Sequence, residues 1–173
     1  MSPVVRTGPT GISLSKAAIV QIPHCASLKH GFWNLSVYAL GPASHPKMDN
    51  SHTEWRKIVS LGQETINTPI FTQLDADKLF LVTDFLTTFV LAGESFNGKA
   101  VKNLKLAVYA PNLTRNSGSD YNISVYVFED TPCALFYCAE QEKRLGGVLI
   151  GDPKSLWFQD GGSSLCLSLE DIG

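Results

Sequence analysis

Charge is scarce in this chain, and neither sign is in large excess. Its 173 residues carry 14 basic and 16 acidic side chains, a formal net charge of -2. With no basic surplus to displace counterions from phosphates, a general nucleic-acid binder is excluded. Long hydrophobic runs are also missing. The longest has seven residues, Cys133 to Ala139, whereas a bilayer-spanning helix needs roughly 20. No part of this segment is expected to insert into a membrane. Cysteine is sparse: Cys25, Cys133, Cys138 and Cys166 lack the dense spacing of a disulfide framework and are read as free thiols. From Met1 to Arg6 the charge follows the apolar residues, and no long apolar core comes next, so a secretory signal is not expected. The chain as given is expected in the cytosol. On that reading the glycosylation sequons at Asn34, Asn112 and Asn122 are chance matches. What is plentiful is apolar sequence, at 44%. That is too much for a disordered chain of such low net charge. The length suits one large domain or two small ones.

Short alternating apolar runs separated by turn residues dominate, the pattern of an antiparallel β protein. Strands are expected at Ser13–Pro23, Trp33–Leu40, Trp55–Leu61, Ile70–Leu74, Leu79–Val82 and Thr87–Ala92. Gly41 to Thr53 reads as a polar loop. Gly93 to Lys99 has two glycines and no periodic apolar face, and reads as a connection. Beyond it, Leu104, Leu106 and Val108 alternate with polar or small residues, as do Ile123, Val125 and Val127. The two runs predict a hairpin with a long polar tip, Asn112 to Asp120.

One helix is clearly signalled. Asp130 or Thr131 can cap it, and Pro132 fits its first turn, where a missing N–H costs nothing. Leu135, Cys138, Glu142 and Leu145 fall near one face. Lys143 and Arg144 suit the last turn, and Gly146-Gly147 ends the helix. Three more short strands are expected at 148–150, 156–158 and 165–169.

Catalytic templates find little purchase. Around Ser95 the sequence approaches a nucleophile elbow, but Asn97 stands where the second glycine belongs and no helix pattern follows. His24, Cys25 and His30 are potential metal ligands, with only His45 and His52 to add, and lack the paired spacing of zinc sites. Cys133 and Cys138 would lie about 140° apart on a helix, too far to share an ion. Asp75, Asp77 and Asp84 do not complete a calcium-loop spacing. Gly146-Gly147 follows a helix, so it cannot act as a phosphate loop that opens one. Trp157 and Phe158 are adjacent, so a strand points them to opposite faces.

Several segments together resemble a known tandem. Ser2 to Pro9, Ile22 to Ala26, Thr72 to Asp77 and Val82 to Gly93 resemble the cytoplasmic β-domain that netrin receptors share with zonula-occludens proteins and ankyrins. Tyr126 to Leu135, Arg144 to Gly147, Asp152 to Phe158 and Leu167 to Ile172 resemble the UPA domain that follows it in netrin receptors of the uncoordinated-5 class. The order of the segments matches throughout.

The resemblance implies a mainly β fold of two tandem antiparallel β-sandwich-like domains, both incomplete, the second with one short helix. Residues 1–95 would be the C-terminal part of the β-domain, 96–101 a linker and 102–173 the N-terminal part of the UPA domain. Being incomplete, the chain alone is expected to aggregate readily, because open sheet edges and apolar faces invite pairing. The resemblance further implies a cytoplasmic signalling and autoinhibitory interaction module of a single-pass receptor. Axon guidance, cell migration and apoptosis in the absence of ligand would be its context. The expected partners are the receptor's own death domain and cytoplasmic adaptors, with netrin meeting only an ectodomain outside this sequence. No enzyme activity, cofactor, metal or catalytic residue is expected. Self-cleaving relatives of the tandem use a His-Phe-Ser motif; the matching residues here are Phe85, Leu86 and Thr87, and Phe85 cannot carry a proton. An ankyrin- or zonula-occludens-type scaffold is the alternative, disfavoured by the UPA-like segments.

Overall fold

A computed structural model describes residues 2–41, 54–111 and 122–168. The N-terminal half contains β1 (Val5–Arg6), β2 (Ser13–Pro23), β3 (Trp33–Leu40), β4 (Trp55–Ser60), β5 (Phe71–Leu74), β6 (Lys78–Phe85) and β7 (Thr88–Ser95). They form two antiparallel sheets, ordered β1-β7-β3-β4 and β2-β6-β5. Each strand has an apolar face, and facing the sheets against one another buries both. On β6, Leu79, Leu81 and Thr83 point inward while Lys78, Phe80 and Val82 stay half-buried, the two-residue period of a pleated strand. Ile22, Val37, Leu79, Leu81, Phe89 and Leu91 are the largest apolar side chains almost wholly withdrawn from water. Each such burial contributes about 1.5–3 kcal/mol relative to exposure.

The C-terminal half contains β8 (Val101–Pro111), β9 (Ser124–Glu129), α1 (Pro132–Leu145), β10 (Gly147–Leu149) and β11 (Lys154–Gln159). β8 is the hub. Leu104 to Leu106 pair with β9 and also with β11, so those two strands lie on opposite edges. Tyr109 pairs with both Ser124 and Leu149, which puts β10 on the same edge as β11. α1 begins as its sequence predicts: Thr131 is the N-cap, its hydroxyl accepts from the Ala134 N–H, and Pro132 follows. Gly146 ends it in the left-handed region at φ 79°, which glycine adopts at no steric cost.

Apart from the one at 165–169, the expected strands are present, as is the pairing of the expected hairpin, and the predicted limits of β2 and β3 match the observed ones. Three local readings need correction. Gly93 to Ser95 belong to β7 and pair with Trp33 to Leu35; a 3-10 turn, Phe96–Gly98, follows, and Ala100 and Val101 are buried. Gly93 sits in a strand because a β-carbon there would come within 2.9 Å of the Trp33 ring. On α1 only Cys138 and Glu142 are buried, while Leu145 is 74% exposed. Residues 165–168 are not a strand. The expected tip of the β8–β9 hairpin and the loop at 42–53 lie outside the described residues.

Candidate interaction surfaces

The two halves are joined by backbone pairing. Ala26 forms a β-bridge with Lys102. The Ser27 N–H donates to the Val101 carbonyl at 2.9 Å, and the Asn103 N–H to the Cys25 carbonyl at 2.7 Å. The Trp33 indole N–H donates to the same Val101 carbonyl at 3.0 Å. On one side of this joint, the His30 ring meets Trp157 edge-on at 5.6 Å, and His30 Nδ1 lies 2.7 Å from the Ser27 hydroxyl.

His24 is a brace. Its backbone N–H donates to the Asp77 carbonyl at 2.8 Å, and its Nε2 lies 3.0 Å from the Asp75 carbonyl. Both acceptors belong to the β5–β6 turn. Burial pushes the His24 pKa below its usual value, with the Asp75 hydrogen bond and the Asp77 charge acting the other way. Burial likewise raises the neighbouring Cys25 thiol to about 11, which leaves it an inert thiol at neutral pH. His45 and His52 lie outside the described residues. Among the described residues no three His, Cys, Asp or Glu side chains converge as a metal ion would need.

Leu86 and Thr87 form the tight turn between β6 and β7. The Thr87 hydroxyl donates to the Leu40 carbonyl at 2.6 Å. Its backbone is clamped by Thr7: the Thr87 N–H donates to the Thr7 hydroxyl at 2.9 Å, and the Thr7 N–H and hydroxyl return to the Thr87 carbonyl. Phe85 packs on Phe89 with ring centroids 5.8 Å apart. A hydroxyl held this way lacks the adjacent base that nucleophilic attack requires. Ser95 is no nucleophile elbow either: it ends β7, and its hydroxyl accepts from the Ala100 N–H at 3.1 Å.

Beneath α1 lies a polar pair that sequence reading missed. The Tyr126 hydroxyl donates to Glu142 Oε1 at 2.6 Å, and Glu142 is only 2% exposed. The carboxylate, and to a lesser degree burial, pushes the Tyr126 pKa up to about 12. Tyr109 meets Tyr126 edge-on at 5.7 Å. The available signal was Glu142 itself, an acid among the inward positions of a helix, which needs a hydrogen-bond partner when buried.

Among the described residues, two surfaces that involve the second half are open. A cleft of about 770 Å³ runs between the halves, bordered by Pro23, Lys78, Lys105, Phe128, Asp130 and Pro132. Lys105 crosses its floor to Asp130 at 3.6 Å and to the Ser155 hydroxyl at 2.8 Å. The second surface is apolar. Tyr109 and Tyr126 face α1, so by strand alternation Leu104, Leu106 and Val108 face the other way, beside Val125, Val127 and Leu156 of the adjoining strands. None of these six is fully buried. On the outer side of α1, Phe136 and Tyr137 are 68% and 65% exposed. Of the six sheet residues Val125 is the one that is exposed, so the adjacent Phe136 and Tyr137 are the larger apolar exposure, of a kind found at sites of protein contact.

Two family models match the chain. The ZU5 domain matches residues 1–40, and the UPA domain matches residues 100–173. ZU5 followed by UPA is the order found in the cytoplasmic regions of uncoordinated-5 netrin receptors.

Proposed function

Since the chain is a protein-interaction and signalling module of the ZU5–UPA type, we propose that it acts in the cytoplasmic region of a netrin receptor of the uncoordinated-5 class. It is a non-enzymatic part of the receptor's switch and lies on the cytoplasmic side of the plasma membrane. Its partners are the receptor's own death domain and cytoplasmic adaptors. Axon guidance, cell migration and apoptosis signalling are the outputs it regulates. The carrying observation is the order of the two matched domains. The apolar sheet face opposite α1 and the exposed Phe136 and Tyr137 support a mechanism of surface burial. Burying these side chains against a death domain stabilises a closed state. Netrin-driven clustering then has to supply a differential contact that favours the open one.

The test is a titration of the chain into the isolated death domain of such a receptor, followed by its amide NMR spectrum. Saturable shifts are expected, weakened by replacing Phe136 and Tyr137 with serine. A death domain that ignores the chain, while a cytoskeletal protein binds it, would replace the receptor reading with a scaffold.

A further inference from the structure

A further open feature lies at the far edge of the first sandwich. β5 ends its sheet and pairs with β6 on one side only. The Asp75 N–H donates to the Lys78 carbonyl at 2.8 Å, which sets the phase of the ladder. Asp75, Gln73 and Phe71 therefore turn their backbone groups toward β6, and Thr72 and Leu74 turn theirs outward. Among the described residues no strand pairs with that outer edge.

Thr72 and Leu74 also line a pocket of about 330 Å³, together with Leu28, Trp33, Leu35 and Leu61. Its floor is the hydrophobic core itself, because Leu35 belongs to that core and Leu28, Trp33, Leu61 and Leu74 pack against it. Glu64 is the one ionisable side chain in the lining. Thr72 and Glu64 also border a neighbouring hollow of about 400 Å³ beside Ile70 and Phe71, again with no other ionisable group. The Thr72 hydroxyl donates to Glu64 Oε1 at 2.6 Å, and a carboxylate accepting such a bond stays charged at neutral pH. At the pocket mouth, Phe32 holds φ at 62° and is 46% exposed. A bulky residue in the left-handed region is strained, and such strain gathers at ligand-binding sites.

We propose that this edge and pocket bind an extended peptide by strand addition to β5. One apolar side chain of the peptide enters the pocket, and a lysine or arginine two residues away meets Glu64. The spacing follows from strand geometry, since alternate side chains share a face. The outward groups of Thr72 and Leu74 supply main-chain hydrogen bonds, and the pocket and carboxylate supply selectivity. A single negative charge, the one ionisable group among the described residues of the lining, beside an apolar hollow fits a basic, apolar segment and rejects an acidic one. This site is separate from the surfaces assigned to the death domain, so either assignment can fail alone.

The test uses the whole 173-residue chain and a fluorescein-labelled peptide, Gly-Ser-Leu-Thr-Arg-Ser-Gly. Binding with Kd below about 1 mM is expected, with amide shifts centred on Thr72, Leu74 and Glu64. Serine in place of the peptide leucine should weaken it at least about tenfold, the loss expected for one buried leucine. Glutamate in place of the arginine should weaken it about fivefold. Thr72→Pro removes an outward N–H that β6 does not use, a change edge strands tolerate; it should abolish binding, while Thr72→Val, which keeps the N–H, should bind. Because the peptide variants probe the unmodified chain, a misfolded Thr72→Pro leaves the proposal open to refutation. No shift at these amides with about 1 mM peptide would overturn it. So would equal binding of the glutamate peptide, or binding that survives Thr72→Pro. A concentration-dependent dimer that broadens the same amides without peptide would assign the edge to a second copy and overturn it too.

Discussion

Tyr126 and Glu142 join strand β9 to helix α1 through one hydrogen bond of 2.6 Å, and the glutamate end of that bond is sealed from water. A β-carbon on Gly147 would collide with the same carboxylate. The start of β10 therefore closes the pair from the other side.

This pair has a pH signature. Tyr126 has its folded pKa raised, to about 12 from 10.0. A raised pKa adds stability that is complete below the unfolded value and is lost as pH rises through the folded one. The chain should therefore weaken between about pH 10 and 12. Urea midpoints at pH 8, 10 and 11 should show that component in the unmodified chain and not in Tyr126→Phe. The variant should also be less stable at pH 8, because it leaves a buried acceptor unmatched. An unchanged midpoint at both pH 8 and pH 11 would show that the bond contributes nothing.

His24 has the opposite sign. Burial depresses its folded pKa below 6.5, so its contribution is present above the unfolded pKa and fades as pH falls below it. Between pH 7 and 5 the chain should lose stability more steeply than His24→Gln, which retains a donor for the Asp75 carbonyl. Parallel slopes for the two proteins would refute the assignment.

Gly93→Ala should destabilise the first sandwich by about 1–3 kcal/mol, the usual cost of overpacking a well-filled site. The new methyl would meet Trp33 Cε3 at 2.9 Å and Leu35 Cδ2 at 3.0 Å. Relief by a second change, Trp33→Leu, would identify the indole as the obstacle; thermal denaturation of the three proteins measures both effects.

Thr131→Ala removes the side chain that accepts from the Ala134 N–H at 3.3 Å. It should cost about 1 kcal/mol, read from the denaturant midpoint. Thr131→Ser should restore most of it.

The chain should remain intact through expression and purification. Thr87 spends its hydroxyl on the Leu40 carbonyl, and Phe85 offers no base. A pair of fragments cut between Leu86 and Thr87, seen by intact-mass spectrometry, would contradict this.

Much of the backbone was legible because local signals agree with the fold. β2 alternates from Ala18 to Ile22 and β3 places Leu35, Val37 and Ala39 inward, the two are closed by Pro23 and Gly41, and α1 carries cap, proline and glycine at the positions such residues prefer. Gly93 misled because composition sees glycine as a chain breaker, while its reason for being there is a tryptophan sixty positions earlier in the chain. Leu145 misled because helical periodicity reports which residues share a face, not whether a neighbour covers it. The Tyr126–Glu142 bond and the pairing of 25–27 with 101–103 are long-range relations. Their partners lie on separate elements, so no local window contains both. The outer edge of β5 was invisible for a related reason: a strand's place in its sheet depends on every other strand.

Apart from the short bridge of Lys102 to Ala26, β8 pairs among the described residues with three strands, and all three come later in the chain than β8 itself. During synthesis it must leave the ribosome and wait, with Val101 paired to Gln159 only after the whole of α1 has been made. The first sandwich waits in the same way, since Val5 finds Phe89 near the close of that half. Late closure of both halves makes folding slow relative to a protein of local contacts. The nascent chain thus presents a bare, apolar β8 to whatever is nearby, and it is at this stage that a chaperone would be most useful.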